Sequence, residues 1–368
     1  MVYRCDNCGL VWYYPVGKCI YCGSSLRELT ESKYIVKGAT EVFVPSKNHS
    51  QVPYFDLLLE DENGNLHIKK SFKRYEIGDI ISKDLKDSEP RCTIGIIGMG
   101  IMGTGLAQVI VSAGFKLILK SRTDESACKA LQKIEKELLK SASIEETDTL
   151  MKNVRIAKEL KDLSDADIVI ESVIEDIAVK KQLFRELEEI LPEKTIIASN
   201  TSSLSIDEMA ESTMRPDRFL GMHFFNPVSR MALIEVIRGQ KTSQDTINKA
   251  GQLAKDLNKR PVYTKNSPGF IVNRILMTYL NEAMWELHEG VASAEDIDTA
   301  SKLGLNHPMG PLELADLIGL DIVLNILKTL HEKTRNDKYS PCPIIAEKVV
   351  DGKLGRKTGE GFYTYKKK

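Results

Sequence analysis

A histidine near the end of one apolar run and a glutamate inside the next offer this sequence its clearest acid–base chemistry. Residues 218–227 read Arg-Phe-Leu-Gly-Met-His-Phe-Phe-Asn-Pro, an apolar strand that carries His223 and turns at Asn226-Pro227, and the run Leu-Ile-Glu-Val-Ile at 233–237 returns at once. Two such runs joined by a short loop lie side by side, which brings His223 against Glu235 although twelve positions separate them. A carboxylate in an apolar strand is costly unless paired, and an imidazole is its natural partner. The pairing fixes the ring's tautomer and favours its protonated form, as a general base for an alcohol proton requires. The competing reading is a core histidine satisfied by a carboxylate. The other five histidines, His49, His67, His288, His307 and His331, have no comparable setting.

A second chemistry lies in Gly98-Met99-Gly100-Ile101-Met102-Gly103, a G-x-G-x-x-G pattern preceded by the apolar run 93–97 and followed by a helical run through 106–110. In that context Gly98 permits a tight turn, Gly100 lets a pyrophosphate approach the backbone, and Gly103 allows close helix–strand packing. The helix N-terminal amides, including that of Met102, then face the anion. The alternative is a strand–turn–helix with no ligand.

A third is metal binding. Four of seven cysteines, Cys5, Cys8, Cys19 and Cys22, fall within the first 22 residues as two Cys-x-x-Cys pairs ten residues apart. Each pair can form a knuckle presenting two sulfurs to one metal, so the spacing predicts a four-thiolate structural zinc. Gly9 and Gly23 follow the second cysteine of each pair, where a knuckle needs open backbone geometry. Cys92, Cys128 and Cys342 read as ordinary thiols.

The elements that must position these groups fall into three textures. Short, turn-punctuated apolar runs at 34–36, 41–44, 54–59, 66–68 and 77–81, with Asn63-Gly64 as a hairpin turn, predict a small β unit. The polar stretch 82–90 breaks the pattern. From Cys92 strands (93–97, 116–119, 167–170, 195–199) alternate with helices (101–113, 124–140, 177–191), which predicts a parallel α/β sheet. Beyond Pro268 only helical periodicity remains, in 269–289, 294–303, 311–330 and 343–350. The expected division is a zinc ribbon at 1–30, an OB-like β-barrel at 31–82, a linker at 83–90, a Rossmann NAD(P)-binding domain at 91–266 and an all-α substrate and dimerisation domain at 267–368.

Length and composition set the limits. A chain of 368 residues that is 42% hydrophobic buries sizeable cores, and two or three domains are expected. The 51 Lys and Arg nearly cancel 52 Asp and Glu, for a net −1. That disfavours a protein built on attraction to nucleic acid or an anionic membrane. No apolar run approaches the ~20 residues of a membrane-spanning helix, and the polar, cysteine-bearing start is unlike a signal peptide, so a cytoplasmic protein is expected.

Five ordered stretches carry a resemblance. Ser-Asn-Thr-Ser-Ser-Leu at 199–204, His-Phe-Phe-Asn-Pro-Val at 223–228 with Glu-Val-Ile at 235–237, Ser-Pro-Gly-Phe-Ile-Val-Asn-Arg at 267–274, Pro-Met-Gly-Pro at 308–311 and Lys-Thr-Gly-Glu-Gly-Phe-Tyr at 357–363 together resemble the L-3-hydroxyacyl-CoA dehydrogenase family. The similarity runs from about Arg91 to the C-terminus. It implies interconversion of a 3-hydroxyacyl-CoA and a 3-ketoacyl-CoA with a nicotinamide cofactor. His223 then matches the base and Glu235 its partner. Ser202 and Asn273 match polar groups that hold the reacting oxygen, Asn226 lies beside the same site, and Glu175 and Lys180 match positions lining the nicotinamide half of the cofactor site. Apart from the resemblance, Ser202 and Asn273 read as capping and turn residues.

The first part, roughly 1–81, looks like the acyl-CoA-associated zinc-ribbon/OB-fold proteins that accompany thiolases. This implies docking of a thiolase-like partner or handling of CoA thioesters. OB folds also bind single-stranded nucleic acid through aromatics in a basic groove, and residues 1–90 are rich in Tyr and Phe. Their 12 Lys and Arg against 13 Asp and Glu disfavour that use.

One departure bears on the cofactor. Where NAD-preferring Rossmann domains place an acidic residue at the end of the second strand, this sequence has Ser121-Arg122-Thr123. A guanidinium flanked by two hydroxyls suits a 2′-phosphate, so NADP, or at least no strong preference for NAD, is expected. The alternative is that Ser121 or Thr123 caps the following helix and Arg122 is solvated. For CoA, only Lys140 offers a candidate contact. Helices after Pro268 carry Ile271, Ile275, Leu276, Tyr279, Leu280, Met284 and Leu287, an apolar face broad enough to predict a homodimer. The rival to a dehydrogenase is a non-enzymatic scaffold with a degenerate dehydrogenase part, but Ser202, His223, Glu235 and Asn273 are all present.

Overall fold

The computed structural model describes residues 2–5, 7–8, 11–12, 18–19, 22–29, 33–42, 54–61, 64–71, 75–82, 92–140 and 142–365. The chain divides into two compact units, Met1–Arg91 and Cys92–Lys368.

In the first unit, β1 (Val2–Cys5), β2 (Val11–Trp12) and β3 (Leu26–Leu29) form an antiparallel sheet in the order β2-β1-β3. Strands β4 (Lys33–Val42), β5 (Tyr54–Asp61), β6 (Leu66–Ser71) and β7 (Ile80–Ser82) form a second antiparallel sheet in the order β6-β5-β4-β7. Alternation places Tyr34, Val36, Leu57, Leu59 and Ile81 on a buried face. The hairpin expected at Asn63-Gly64 joins β5 to β6, with Gly64 at φ +79 and its N–H on the Asp61 carbonyl at 2.9 Å; Asn63 lies outside the described residues. Of the OB-like β-barrel expected at 31–82, the described residues form this four-stranded antiparallel sheet, with β6 and β7 at its edges. The linker at 83–90 lies outside the described residues.

The second unit is built on an eight-stranded sheet. Its strands are β8 (Thr93–Ile97), β9 (Lys116–Lys120), β10 (Val154–Ala157), β11 (Ile168–Glu171), β12 (Ile196–Ser199), β13 (Phe219–Phe224), β14 (Leu233–Arg238) and β15 (Arg260–Lys265), ordered β10-β9-β8-β11-β12-β13-β14-β15. Pairing is parallel from β10 to β13, antiparallel between β13 and β14, and parallel again to β15. The parallel sheet expected from the strands 93–97, 116–119, 167–170 and 195–199 is present, and the short loop 225–232 turns the chain straight back to lay β14 antiparallel beside β13.

Helices α1 (Ile101–Ser112), α2 (Asp124–Leu138), α3 (Ile144–Met151), α4 (Ile177–Ile190), α5 (Ile206–Ala210) and α6 (Gln244–Asp256) cover the sheet, and two apolar clusters bury its faces. The strands β8, β11, β12 and β13 are almost wholly buried, as near-continuous apolar runs in a two-sided sheet require.

The remaining helices, α7 (Val272–His288), α8 (Ala294–Gly304), α9 (Pro311–Ile318), α10 (Leu320–Thr334) and α11 (Pro343–Val350), pack around a third cluster. The single helix expected over 311–330 is two, because Gly319 at φ +105 breaks it. On α7, Leu280 and Met284 are buried, and Leu276, Tyr279 and Leu287 pack against the same core. Of the apolar face expected to be in surplus, Ile275 alone is largely exposed, at 66%.

Candidate active site

The register between β13 and β14 pairs His223 directly with Glu235. His223 Nδ1 lies 2.6 Å from Glu235 Oε2, so Nε2 is the ring nitrogen that this pairing leaves open. Glu235 is fully buried and His223 is 6% exposed. Glu235 Oε1 accepts the amides of Ile271 and Val272, both at 2.9 Å. Burial opposes ionisation of Glu235, but the hydrogen bond from His223, the two amides and the charge of the ring outweigh it and hold the carboxyl below its ordinary value.

The turn that delivers those amides is conformationally demanding. Gly269 has φ +72, and a Cβ there would meet Leu330 Cδ2 at 2.9 Å and the Arg274 amide nitrogen at 3.1 Å. Phe270, only 4% exposed, also sits in the left-handed region at φ +50, a conformation non-glycine residues hold only when surrounding structure enforces it. Its ring and that of Phe225 flank His223 at centroid distances of 5.8 and 4.5 Å.

Asn273, two residues past Ile271, donates from Nδ2 to the Ser202 carbonyl at 3.3 Å. The loop after β12 meets β13 again through Asn200, whose Oδ1 accepts the Phe224 amide at 3.0 Å. His223, Glu235, Asn273 and Ser202 are thus linked at the carboxyl end of β13, where open α/β sheets form their ligand crevice. Asn226 is exposed in the turn, at a cis Asn226-Pro227 bond, and makes no hydrogen bond to the other four.

Glu175 anchors the Ser202 loop. Its Oε1 accepts the Thr201 hydroxyl at 2.6 Å, the amides of Ser202 and Ser203 at 2.9 and 3.1 Å, and both serine hydroxyls at 3.3 Å. Burial opposes ionisation of this carboxyl as well, but the charge of Lys180 and these donors hold it below its ordinary value. Lys180, expected to line a cofactor site, is 0% exposed; it meets Glu175 Oε2 at 3.2 Å and Glu171 at 2.7 and 2.9 Å. Glu171 was not singled out in the sequence, yet a carboxylate closing an apolar strand is the same signal that marks Glu235.

The glycine-rich loop joins β8 to α1. Gly98 has φ +100, and a Cβ there would lie 2.4 Å from the Ser172 carbonyl oxygen, while one on Gly103 would lie 1.8 Å from that of Gly98. Gly100 is the opposite case: a Cβ would meet nothing within 4 Å, so the space is open toward a ligand. No side chain caps α1 and no acid occupies its first turn, which leaves its N-terminal amides, Met102 among them, for an anion. A cleft of about 480 Å³ adjoins the loop, lined by Gly100, Ile101 and Thr104 on one side and Thr123, Ser126, Lys129 and Lys133 on the other. Thr123 caps α2 by accepting the Ser126 amide at 3.2 Å, Ser121 is 8% exposed, and Arg122 is exposed. The capping alternative therefore describes Thr123.

In the first unit the sulfurs of Cys5, Cys8, Cys19 and Cys22 all lie within 4.8 Å of one another. The edge of a tetrahedral zinc–thiolate site is about 3.8 Å, so the four donors fit one metal. Hydrogen bonds from the Ser24 side chain and backbone bring the Cys22 thiol down to about 5.

Two family models match the chain: the NAD binding domain of 3-hydroxyacyl-CoA dehydrogenase over residues 93–267 and the C-terminal domain of 3-hydroxyacyl-CoA dehydrogenase over 269–365. A 3-hydroxybutyryl-CoA dehydrogenase of Clostridioides difficile is 47% identical over 279 residues, 74% of this chain and 99% of that one. The mitochondrial hydroxyacyl-coenzyme A dehydrogenase of Homo sapiens is 42% identical over 285 residues, 74% of this chain and 91% of that one. The crystal structure of (S)-3-hydroxybutyryl-CoA dehydrogenase from Ralstonia eutropha superposes with a TM-score of 0.73 at 42% identity, covering 75% of this chain and all of that one. With both family domains in order over residues 93–365 and relatives matched over nearly their whole length, this chain belongs to the 3-hydroxyacyl-CoA dehydrogenase family.

Proposed function

We propose that this oxidoreductase interconverts (3S)-3-hydroxybutyryl-CoA, or a similarly short 3-hydroxyacyl-CoA, and the 3-ketoacyl-CoA. The observation that carries the reading is the buried His223–Glu235 pair at 2.6 Å, next to Asn273 of α7 and the Ser202 loop that it contacts. A nicotinamide dinucleotide supplies the acceptor for the hydride that leaves C3. His223 takes the 3-hydroxyl proton at Nε2, because Nδ1 is committed to Glu235. Glu235 fixes the tautomer and stabilises the imidazolium that forms. Ser202 and Asn273 hold the reacting oxygen, Asn226 borders the acyl group, and Gly98, Gly100, Met102 and Gly103 hold the pyrophosphate. Turnover of a panel of acyl-CoA thioesters with both nicotinamide cofactors tests this; no turnover of any 3-hydroxyacyl-CoA would overturn it and favour the scaffold.

The finer assignments follow. Arg122, exposed and without a carboxylate partner among the described residues, supports NADP, with Ser121 beside it; Thr123 contributes through the helix it caps. The sulfur cluster supports one structural zinc and a ribbon, followed by an OB-like sheet. On that sheet Leu58 faces Ile68 across one strand pair and Ile35 faces Ile80 across another, and all four are exposed. This supports docking of an apolar partner surface, and a thiolase-like protein is the partner the resemblance implies. Exposed Ile275, Val291, Leu303 and Leu305 support a homodimer through the helical part. Four cysteine sulfurs gathered at one site suit the reducing cytoplasm.

A further inference from the structure

The turn that aims the amides of Ile271 and Val272 at Glu235 is gripped from a side that the acid–base chemistry does not use. Arg274, in the first turn of α7, donates in three directions. Its backbone N–H reaches the Gly269 carbonyl at 3.0 Å, its Nη1 the Ser267 hydroxyl at 3.0 Å, and its Nε the Tyr339 hydroxyl at 2.8 Å. One residue just past the turn therefore holds the turn at its start and at its middle. Between those grips Gly269 and Phe270 lie in the left-handed region, at φ +72 and +50. Phe270 keeps such a backbone only where its surroundings over-determine it.

Tyr339 is the far anchor. It closes the short helical turn Asp337–Tyr339 after α10 and is buried at 1% exposure. Its segment is fixed in turn by Asn281, a buried residue on α7. Asn281 Nδ2 donates to the Ser340 carbonyl at 2.9 Å, and its Oδ1 accepts the Cys342 amide at 2.9 Å. A buried phenol needs a partner for its hydroxyl, and Arg274 supplies the donor. The guanidinium carbon also stands 6.0 Å from the Tyr339 ring centroid, the outer reach of a cation–π contact. Neither side-chain hydrogen bond goes to a carboxylate, so Arg274 contributes the rigid fork of its guanidinium and not a cancelled charge.

We infer that Arg274 and Tyr339 are positioning residues for the dehydrogenase reaction: their contact locks the turn 267–272 so that its amides hold Glu235, and Glu235 holds the imidazole of His223. From the Ile271 and Val272 amides the contacts run at 2.9 Å to Glu235 Oε1, and from Oε2 at 2.6 Å to His223 Nδ1. The core of the helical part thus sets the orientation of a base carried by the sheet. The kinetic side of this inference rests on the dehydrogenase reading, whereas its structural side does not.

Tyr339→Phe keeps the buried ring and removes only the hydroxyl, so it should fold; Arg274→Met removes both side-chain hydrogen bonds. We expect kcat to fall about 3- to 10-fold in the first and about 10- to 100-fold in the second, the scale of a misplaced catalytic group. KM for the acyl-CoA should stay within about twofold, since the two side chains are spent on the turn and on each other. Proton NMR reads the dyad without turnover. A short Nδ1–H···O bond at 2.6 Å gives a resonance far downfield of the amides, and in both variants it should move upfield as the bond lengthens. A Tyr339→Phe or folded Arg274→Met enzyme that keeps the parent's kcat, or leaves that resonance unmoved, would overturn the inference. An unmodified enzyme that turns over no 3-hydroxyacyl-CoA would instead remove the dehydrogenase reading, and the resonance alone would then decide whether this brace holds His223 and Glu235 together.

Discussion

Glu235 holds His223 through one oxygen at 2.6 Å and the first turn of α7 through the other, at 2.9 Å from the amides of Ile271 and Val272. One buried carboxylate thereby ties the base to the helix that carries Asn273. Domain register and base orientation become a single constraint.

Glu235→Gln tests that constraint. It should lower kcat by about 100-fold or more, because the imidazolium loses its counter-charge. It should also change the acid limb of stability. Despite burial, the folded-state carboxyl is held below its ordinary value by His223 and the two amides. Its stabilising contribution is therefore full above the ordinary value and is lost as pH falls through the folded one. The gap in melting temperature between parent and variant should narrow as pH falls through that window. A gap that widens toward acid would contradict the assignment.

Gly269→Ala probes the same joint from the backbone. A Cβ at φ +72 lies 2.9 Å from Leu330 Cδ2, so the variant should lose about 1–3 kcal/mol of stability. Displaced amides at Ile271 and Val272 should lower kcat as well. Denaturation together with steady-state kinetics checks both, and an unchanged melting temperature would show that the turn relaxes freely.

Much of this site is legible in the sequence, and the limits are physical. The β13–β14 pairing follows from two apolar runs and a short turn, and the loop 98–103 from its flanking strand and helix. The break at Gly319 hides inside a continuous leucine-rich helical pattern. Strands β10 and β15 are partly exposed edges without a strong period, α3 is mostly exposed, and α6 buries only a narrow stripe, Ile247, Ala250, Leu253 and Ala254, within a mostly polar run. The Glu171–Lys180 pair spans a strand, a loop and a helix turn, a geometry that spacing alone does not encode.

Zinc is checked by metal analysis of protein prepared without chelator. One zinc per chain is expected, bound by Cys5, Cys8, Cys19 and Cys22 with no open position. Cys19→Ser should release it and unfold the first unit while sparing dehydrogenase turnover. Metal-free protein with a folded first unit would remove the zinc.

The cofactor choice turns on Ser121 and Arg122. Exchanging Ser121→Asp together with Arg122→Ala installs a carboxylate for ribose hydroxyls and removes the guanidinium, and kcat/KM should move toward NAD. An unmodified enzyme that already favours NAD by about tenfold or more would sink the phosphate reading and leave the dehydrogenase intact.

The most direct measurement compares parent and His223→Gln in the oxidation of (3S)-3-hydroxybutyryl-CoA, following the reduced nicotinamide at saturating substrate. If His223 is the base, kcat falls by about two to four decades while acyl-CoA binding, measured separately, changes little. A variant that keeps near-normal kcat would make His223 a packed histidine and contradict the account.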